Sequence, residues 1–212
     1  MKLLNALLDS SIGRKWVMAL TGMGALLFLI THLSGNLLFF RGPEFINHYA
    51  EWLHAQPFLP FAEAGLACVF VFHIVFSVLL TIQNVRAKSR GYAVSASAGE
   101  RTLASKTMIV SGLVILAYIL FHVWGMRFGP DSDLTTYDRI VAVLKNPVWN
   151  VCYLVGVLFV GLHLSHGASS SVQSLGLRFP QYERLIKMGG SLLALAITLG
   201  FASFPAYVWF CL

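Results

Sequence analysis

Four histidines occupy comparable positions in successive apolar stretches of this 212-residue sequence: His32, His73, His122 and His163. An ionisable side chain at membrane depth is costly, so each of them marks a functional site by default. Imidazole is a ligand for zinc, copper and iron. One histidine in each of four successive helices is the pattern that a four-helix bundle needs to clamp a planar metal cofactor between facing helices. The spacing therefore predicts a metal centre inside a helical bundle.

The position of each histidine along its stretch indicates its depth, because a helix rises about 1.5 Å per residue. His32 and His122 lie 18 and 16 residues after a cation near the start of their stretches, so both fall in the outer half. His73 and His163 lie 13 and 15 residues before the cation that follows their own apolar stretches. Both therefore lie further from the outer surface. Matched depth pairs His32 with His122 and His73 with His163. We therefore expect two bis-histidine sites stacked across the membrane.

An internal repeat supports this pairing. Residues Met18, Thr21, Gly22, His32 and Gly35 recur in type and spacing as Met108, Ser111, Gly112, His122 and Gly125. Similarly, His73, Thr81 and Gln83 recur as His163, Ser171 and Gln173. A pseudo-twofold axis along the membrane normal would bring each histidine to the depth of its equivalent. The repeated glycines leave room for a neighbouring helix or for a porphyrin.

The ligand set favours haem over zinc or copper. Zinc takes three or four protein ligands at one depth, whereas each predicted site has two histidines. Bis-imidazole ligation with no open position suits a low-spin haem b that carries electrons. The three cysteines, Cys68, Cys152 and Cys211, form neither a Cys-x-x-Cys pair nor the Cys-x-x-Cys-His motif of covalent haem attachment, which argues against a zinc ribbon or a c-type cytochrome. We therefore expect two haems b.

Long apolar runs must position these residues. The chain is 57% hydrophobic and 11% charged, against about 25% charged in a typical soluble domain. Five runs are long enough to cross a membrane, at about 16–40, 60–85, 107–127, 148–171 and 188–210. We expect an all-α integral membrane protein with a single transmembrane domain over residues 1–212. Its first four helices would form a four-helix bundle around two stacked b-type haems.

Charge distribution predicts the orientation. Of the Lys and Arg residues, 11 fall on the amino-terminal side and 4 on the other, whereas the acids divide 3 to 6. Cytoplasmic loops carry the excess of Lys and Arg, so we expect a cytoplasmic amino terminus, and Leu212 outside the inner membrane of a prokaryote. The net charge of +6 does not indicate nucleic acid, because these cations flank apolar runs. The segment from Gly129 to Pro147 is predicted to be an outer loop with a short helix.

Polar residues near the ends of the bundle are candidates for contacts with the haem periphery. They are Arg14, Lys106, Ser170, Ser171, Gln173, Trp124, Arg127 and His166. Lys, Arg and Trp also collect at membrane interfaces as simple anchors. His166 lies one turn after His163 and shares its helix face. It is either a hydrogen-bond partner in that site or part of a quinone pocket.

These residues resemble a known family, the cytochrome b subunit of succinate:quinone oxidoreductases and quinol:fumarate reductases in its single-subunit, five-helix, di-haem form. The resemblance rests on the number of spans, the four histidines, and the local sequences His-Leu-Ser-Gly-Asn-Leu at 32–37 and His-Leu-Ser-His-Gly at 163–167. By this resemblance, His73 and His163 would hold a proximal haem near a cytoplasmic iron-sulfur subunit. His32 and His122 would hold the distal haem.

The resemblance also implies partners. A flavoprotein would interconvert succinate and fumarate, so no catalytic residue for that reaction is expected on this chain, and an iron-sulfur protein would relay electrons. The implied pathways are the tricarboxylic acid cycle or anaerobic respiration, with the direction of catalysis left open. Membrane lipid surrounds such a subunit, and a dimer of the complex is compatible with it.

A quinone, usually menaquinone in this form of the family, would bind near the distal haem towards the outer surface. A carboxylate or a histidine there could exchange protons with it. The candidates are Asn36, His48, Glu51, His54 and Glu63, each of which is otherwise an ordinary loop residue.

One departure from the family concerns proton movement. Some members place a Glu two residues before the fourth haem ligand, where it carries protons that offset transmembrane electron flow. Here that residue is Gly161. Moving one charge against the membrane potential costs about 2.3 kcal/mol per 100 mV, so the missing acid favours an electrogenic enzyme.

Two other functions fit the same residues. The first is the cytochrome b subunit of a quinone-linked hydrogenase or formate dehydrogenase, which a nickel or molybdenum catalytic subunit would distinguish. The second is a haem-free proton or ion transporter in which the histidines relay protons or bind zinc. A transporter is expected to have discontinuous helices at its substrate site. Proline is absent from the middle of the first four spans, and Pro205 lies near the outer end of the fifth.

Overall fold

A computed structural model describes residues 10–88, 107–129, 133–177 and 179–212. These residues form seven α-helices and two short 3₁₀ segments, and none of them forms a β-strand. The α-helices are α1 (Ser11–Asn36), α2 (Pro43–His54), α3 (Leu59–Lys88), α4 (Met108–Arg127), α5 (Thr136–Lys145), α6 (Pro147–Ser174) and α7 (Glu183–Cys211). The 3₁₀ segments are Leu37–Arg41 and Pro180–Tyr182.

Five of these helices, α1, α3, α4, α6 and α7, are long and apolar enough to cross a membrane. The shortest, α4, has 20 residues, which gives about 30 Å of helix and matches the hydrocarbon core of a bilayer. The prediction of an all-α protein with five membrane spans is therefore confirmed. The first span differs in detail. Its α-helix ends at Asn36, and the predicted continuation to residue 40 is a 3₁₀ segment.

Local sequence explains where several helices begin. The Ser10 side chain accepts a hydrogen bond from the backbone N–H of Gly13 at the start of α1. The Asn146 side chain caps α6 in the same way, and Pro147 occupies its first turn. Asn and Ser are favoured caps, and proline is favoured in the first turn because its missing N–H has no partner there anyway. Gly42 turns the chain from Leu37–Arg41 into α2 at φ 109°, a conformation that favours glycine.

The four histidine-bearing helices pack in a defined order. We call the end of the bundle at Ser11 the N side and the opposite end, at Asn36, the C side. Helices α1 and α6 pack on each other, α3 packs on α1, and α4 packs on α6. Helix α7, the fifth span, packs mainly on α6 and also touches α1. The fifth span therefore supports two of the four histidine-bearing helices.

Two short helices cover the C side. Helix α5 confirms the short helix predicted between Gly129 and Pro147, whereas α2 had no predicted counterpart. The two pack on each other, and α5 also contacts α6 and α7. Asn47 on α2 accepts a hydrogen bond from the backbone N–H of Tyr137 on α5 at 2.9 Å.

An aromatic cluster forms the centre of this C-side region. The ring of Phe39 lies 4.9 Å from that of Tyr137, 5.8 Å from Phe204 and 6.1 Å from Tyr207, between ring centroids. Such ring pairs stabilise a core beyond the area they bury. The cluster holds α5 and the 3₁₀ segment Leu37–Arg41 against α7, so packed side chains support the C side of the bundle.

Candidate functional site

A cavity of about 1570 Å³ lies between α1, α3, α4 and α6. Ordinary ligand pockets occupy about 300–1,000 Å³. The cavity reaches from Lys15 and Gln173 on the N side to Asn36, Glu51 and Arg127 on the C side. All four histidines predicted to be metal ligands line it. The bundle therefore contains space for something larger than a metal ion, with the histidines around it.

The structure brings the histidines together in the two predicted pairs. The ring centroids of His32 and His122 are 5.9 Å apart, with ring planes at 84°. Those of His73 and His163 are 6.3 Å apart, at 72°. Two imidazoles that bind one metal ion from opposite sides, with metal–nitrogen bonds of about 2 Å, have centroids about 6 Å apart. Each pair therefore has a spacing at which both imidazoles could bind one metal ion. We call them the C-side pair and the N-side pair.

Each ring of the N-side pair has a hydroxyl neighbour. The Nδ1 atom of His73 lies 3.3 Å from Thr21 Oγ1 and 3.3 Å from the backbone oxygen of Met18. The Thr21 hydroxyl donates its hydrogen to the backbone oxygen of Val17 at 2.7 Å. Because that hydrogen is used, the Thr21 oxygen accepts from an Nδ1–H. His73 is thereby held in the tautomer whose Nε2 lone pair is available to a metal.

The other half of the repeat shows the same arrangement. The Nδ1 atom of His163 lies 3.0 Å from Ser111 Oγ, which donates to the backbone oxygen of Met108 at 3.0 Å. Ser111 is completely buried. It is the repeat counterpart of Thr21, so the sequence repeat corresponds to a repeat of contacts.

Two of the repeated glycines face these rings. A Cβ atom added at Gly22 would lie 3.1 Å from His73 Cε1, and one added at Gly112 would lie 3.7 Å from His163 Cε1. Glycine at these positions thus lets the imidazoles lie close to the neighbouring helix. Gly35 and Gly125 instead pack against Tyr49 and Trp149, so they serve packing between helices.

The C-side pair has different neighbours. The Nδ1 atom of His122 lies 3.1 Å from the hydroxyl oxygen of Tyr153, a buried residue of α6. The Nδ1 atom of His32 lies 3.3 Å from the amide nitrogen of Asn36. The ring of Phe28 stacks on His32 with centroids 5.1 Å apart. The sequence had indicated Asn36 as a quinone contact. In the structure it both lines the cavity and contacts His32.

Each pair consists of two imidazoles. The described residues contain no group of three or more His, Cys, Asp or Glu side chains that could hold a metal ion. Two histidines suit a metal whose other ligands come from a cofactor. The ligand role of the four histidines stays a prediction, with a geometry that fits it.

Only some of the residues predicted to contact the haem periphery line the cavity. Four line the cavity towards the N side, namely His166, Ser170, Ser171 and Gln173. Arg127 lines the cavity near the C side, whereas Arg14 does not line it. Trp124 is 62% exposed and lies outside the cavity, on the outer face of α4. Lys106 lies outside the described residues.

Only some of the residues predicted to contact the quinone line the cavity. Asn36, Glu51 and His54 line the C-side mouth of the cavity. His48 lines a separate groove on α2. Glu63 lies outside the cavity lining and forms an ion pair with Arg127, with 3.7 Å between Oε1 and Nη2.

Sequence reasoning missed the hydroxyl neighbours of the histidines. The repeat of Thr21 and Ser111 was a usable signal, since a hydroxyl occurs at the same place in both halves. Tyr153 had no such signal, because its counterpart in the second span is Glu63.

Comparison with known proteins gives one match. Residues 86–203, more than half of the chain, match the family described as the succinate dehydrogenase/fumarate reductase transmembrane subunit. The chain belongs to this family. The matched region contains His122 and His163, while His32 and His73 precede it. Neither the curated proteins nor the solved structures give a match.

As a succinate dehydrogenase/fumarate reductase transmembrane subunit, the chain is the multi-pass membrane part of an oxidoreductase complex. Gly161, the position discussed above for proton movement, faces α7. A Cβ atom added there would collide with the Thr198 side chain. A larger residue at position 161 would therefore require a residue smaller than Thr198 on α7.

Proposed function

We propose that this chain is the electron-transfer subunit of its complex and that it binds two haems b, one between each pair of histidines. The observation that carries the proposal is the spacing of both pairs, with centroids 5.9 and 6.3 Å apart in one cavity. A haem supplies four nitrogen ligands of its own, so two imidazoles complete the coordination of its iron. Such a centre has no open position and carries single electrons.

The side chains around the N-side pair would orient its ligands. Thr21 and Ser111 accept the Nδ1 hydrogens of His73 and His163 and keep each Nε2 free for iron. The propionate groups of this haem need hydrogen-bond donors. Ser170, Ser171 and Gln173 line the cavity on the same side and supply hydroxyl and amide donors.

We place the N side in the cytoplasm of a prokaryote, on the strength of the 11 to 4 distribution of Lys and Arg. The N-side pair is then the proximal site, next to an iron-sulfur subunit that exchanges electrons with a flavoprotein acting on succinate or fumarate. The C-side pair is the distal site. Haems held at the two pairs would allow electrons to cross the membrane between them.

We assign the quinone site to the C-side mouth of the cavity, with menaquinone as the expected substrate. A quinol that loses two electrons also loses two protons. Glu51 and His54 line the mouth one turn apart on α2. A carboxylate and an imidazole are suitable acceptors for these protons. Both side chains are exposed, so protons can pass from them to the aqueous phase.

The alternatives have less support. The family match favours succinate or fumarate chemistry over a hydrogenase or a formate dehydrogenase. A transporter is expected to have interrupted helices at its substrate site, whereas α1, α3, α4 and α6 are continuous along the cavity.

Purification of the tagged chain from its own membranes in mild detergent tests the proposal. We expect a flavoprotein and an iron-sulfur protein to co-purify, and succinate to reduce the haem absorption bands. A nickel or molybdenum subunit in their place would contradict the assignment of the partners. A folded chain that contains no haem would contradict the electron-transfer function itself.

A further inference from the structure

The four histidine-bearing helices do not enclose the cavity equally on every side. Helix α1 packs on α6, α3 packs on α1, and α4 packs on α6, so three sides are closed by contacts between helices. The fourth side lies between α3 and α4. In the described part of the chain, these two helices have no comparable packing with each other. The bundle is therefore open along the side between α3 and α4.

Apolar side chains form the rim of this opening. Val78 on α3, together with Leu113 and Val123 on α4, lines the cavity and is exposed at the same time. On helices that are long and apolar enough to cross a membrane, exposed apolar side chains contact lipid. The opening therefore connects the cavity with the hydrocarbon region of the bilayer.

The C-side end of the opening lies beyond the C-side pair of histidines. Arg127 follows His122 by five residues on α4, which places it about 7.5 Å further along the helix towards the C side. A haem at the C-side pair would fill the opening at the depth of His122. The end of the opening near Arg127 would stay accessible, and it leads to the mouth of the cavity, where we assign the quinone site.

An ion pair crosses the opening at this end. Glu63 Oε1 on α3 lies 3.7 Å from Arg127 Nη2 on α4. Arg127 lines the mouth of the cavity, whereas Glu63 lies outside its lining. Both side chains are half exposed, and exposed ion pairs hold their partners together only weakly. The boundary between the mouth and the lipid is thus a contact that parts easily.

A quinone has two chemically different parts. Its ring exchanges electrons and protons, and Glu51 and His54 at the mouth suit that exchange. Its isoprenoid tail is a long hydrocarbon, which is far more stable in lipid than in water. We infer that the quinone enters the mouth sideways from the bilayer, between α3 and α4, and that its tail stays in this opening. This inference rests on the proposed function, because it requires a quinone at the C-side mouth.

Narrowing the opening should separate two quinols that differ only in their tails. Val123→Trp places a large ring at the rim of the opening. The reduction of the haems is measured in proteoliposomes, with a long-tailed menaquinol and with a short-chain naphthoquinol that has the same ring. We expect kcat/KM for the long-tailed quinol to fall several-fold and that for the short-chain quinol to stay unchanged.

Val110→Trp is the matched control. It makes the same substitution on the same helix, and Val110 is exposed but lies outside the cavity lining. This variant should react with both quinols at the wild-type rate. A general effect of tryptophan on the packing of α4 in the membrane would slow both variants alike, which would count against the inference.

Photolabelling of the wild-type complex gives a second measurement. The probe is a menaquinone analogue with a diazirine group on the first isoprenoid unit, and mass spectrometry of the cross-linked peptides identifies its neighbours. We expect labelling of α3 and α4 next to the opening, and its loss when excess unlabelled menaquinone is added. Specific labelling confined to α7, or to the short helices α2 and α5, would overturn the inference.

The kinetic test has equally definite outcomes. Equal losses for the two quinols in Val123→Trp, or no loss for either, would overturn the lateral route. If this variant fails to retain the C-side haem, the smaller Val123→Phe gives the same test, with the same expected result and the same contradicting results. A wild-type complex that contains haem but is reduced by neither quinol would instead overturn the proposed quinone site, and this inference with it.

Discussion

The Nδ1 atom of His163 lies 3.0 Å from the hydroxyl oxygen of Ser111, which precedes it by 52 residues. His73 and Thr21 form the equivalent contact at 3.3 Å over the same separation. Each contact joins a histidine to the span before it, so the two halves of the bundle are built alike. This symmetry makes His73 and His163 equivalent, and these two histidines form the N-side pair.

Removal of one N-side histidine should remove one haem. We expect His163→Ala to lower the haem content from about two to about one per chain, because one imidazole cannot complete the coordination of iron in this site. A pyridine haemochrome assay measures the change. His48→Ala is the control, since His48 is exposed and lies outside the cavity. Two normal haems in His163→Ala would contradict the ligand assignment.

The buried hydroxyl of Ser111 should strengthen haem binding. Loss of a hydrogen-bond partner of a metal-bound histidine typically costs about 10–100-fold in affinity, so Ser111→Ala should release the N-side haem faster. Transfer of haem to apomyoglobin measures this rate. Ser34→Ala is a suitable control, because the exposed Ser34 hydroxyl donates to the backbone oxygen of Ile30 and lies apart from the N-side pair. Equal release rates in both variants would argue against the role of Ser111.

Glu51 should be required for quinol oxidation. Positioned acids and bases contribute about 10²–10⁴-fold to proton-transfer steps, and Glu51 lines the mouth of the cavity. We expect Glu51→Gln to slow the reduction of the haems by a short-chain naphthoquinol at least 10-fold and to leave the haem content unchanged. Glu44→Gln, on the same helix but in the separate groove, should react at the normal rate. If both variants match the wild type, the quinone site lies elsewhere.

Glu63 should have a smaller effect on the same reaction. Its ion pair with Arg127 is half exposed, and exposed pairs contribute about 0–1 kcal/mol. Arg127 itself lines the mouth of the cavity. Glu63→Gln should therefore slow quinol oxidation less than Glu51→Gln. A larger loss in Glu63→Gln would transfer the proton-exchanging role to Glu63.

Gly161 should be needed for the packing of α6 on α7. A methyl group at this position collides with Thr198, and overpacking costs about 1–3 kcal/mol. Gly161→Ala should lower the thermal unfolding midpoint, measured by circular dichroism in detergent. Addition of Thr198→Ala should restore much of the loss, because the hydroxyl and methyl groups in the way are gone. A single Gly161→Ala variant as stable as the wild type would show that α7 can move aside.

The five helices and the pairing of histidines were accessible from the sequence for a simple reason. A membrane requires runs of about 20 apolar residues, and depth within such a run is proportional to position along it. His32 and His122 could therefore be matched by counting. The internal repeat also indicated that Thr21 and Ser111 occupy equivalent positions in the two halves.

Features that depend on helix rotation could not be predicted in this way. Trp124 was expected near a haem because of its depth, but α4 turns it outwards. Tyr153 reaches His122 because of how α6 is rotated against α4. On α2, Glu51 lines the cavity and His48 lines the separate groove. Which of the two faces the cavity can be predicted only once this segment is known to be a helix.

The most direct test of the account is a dithionite-reduced minus oxidised visible spectrum of the purified complex, with haem quantified per chain. We predict the bands of b-type haem and about two haems per chain, one for each histidine pair. A spectrum without haem bands, from protein shown to be folded and not stripped of cofactor, would contradict the account.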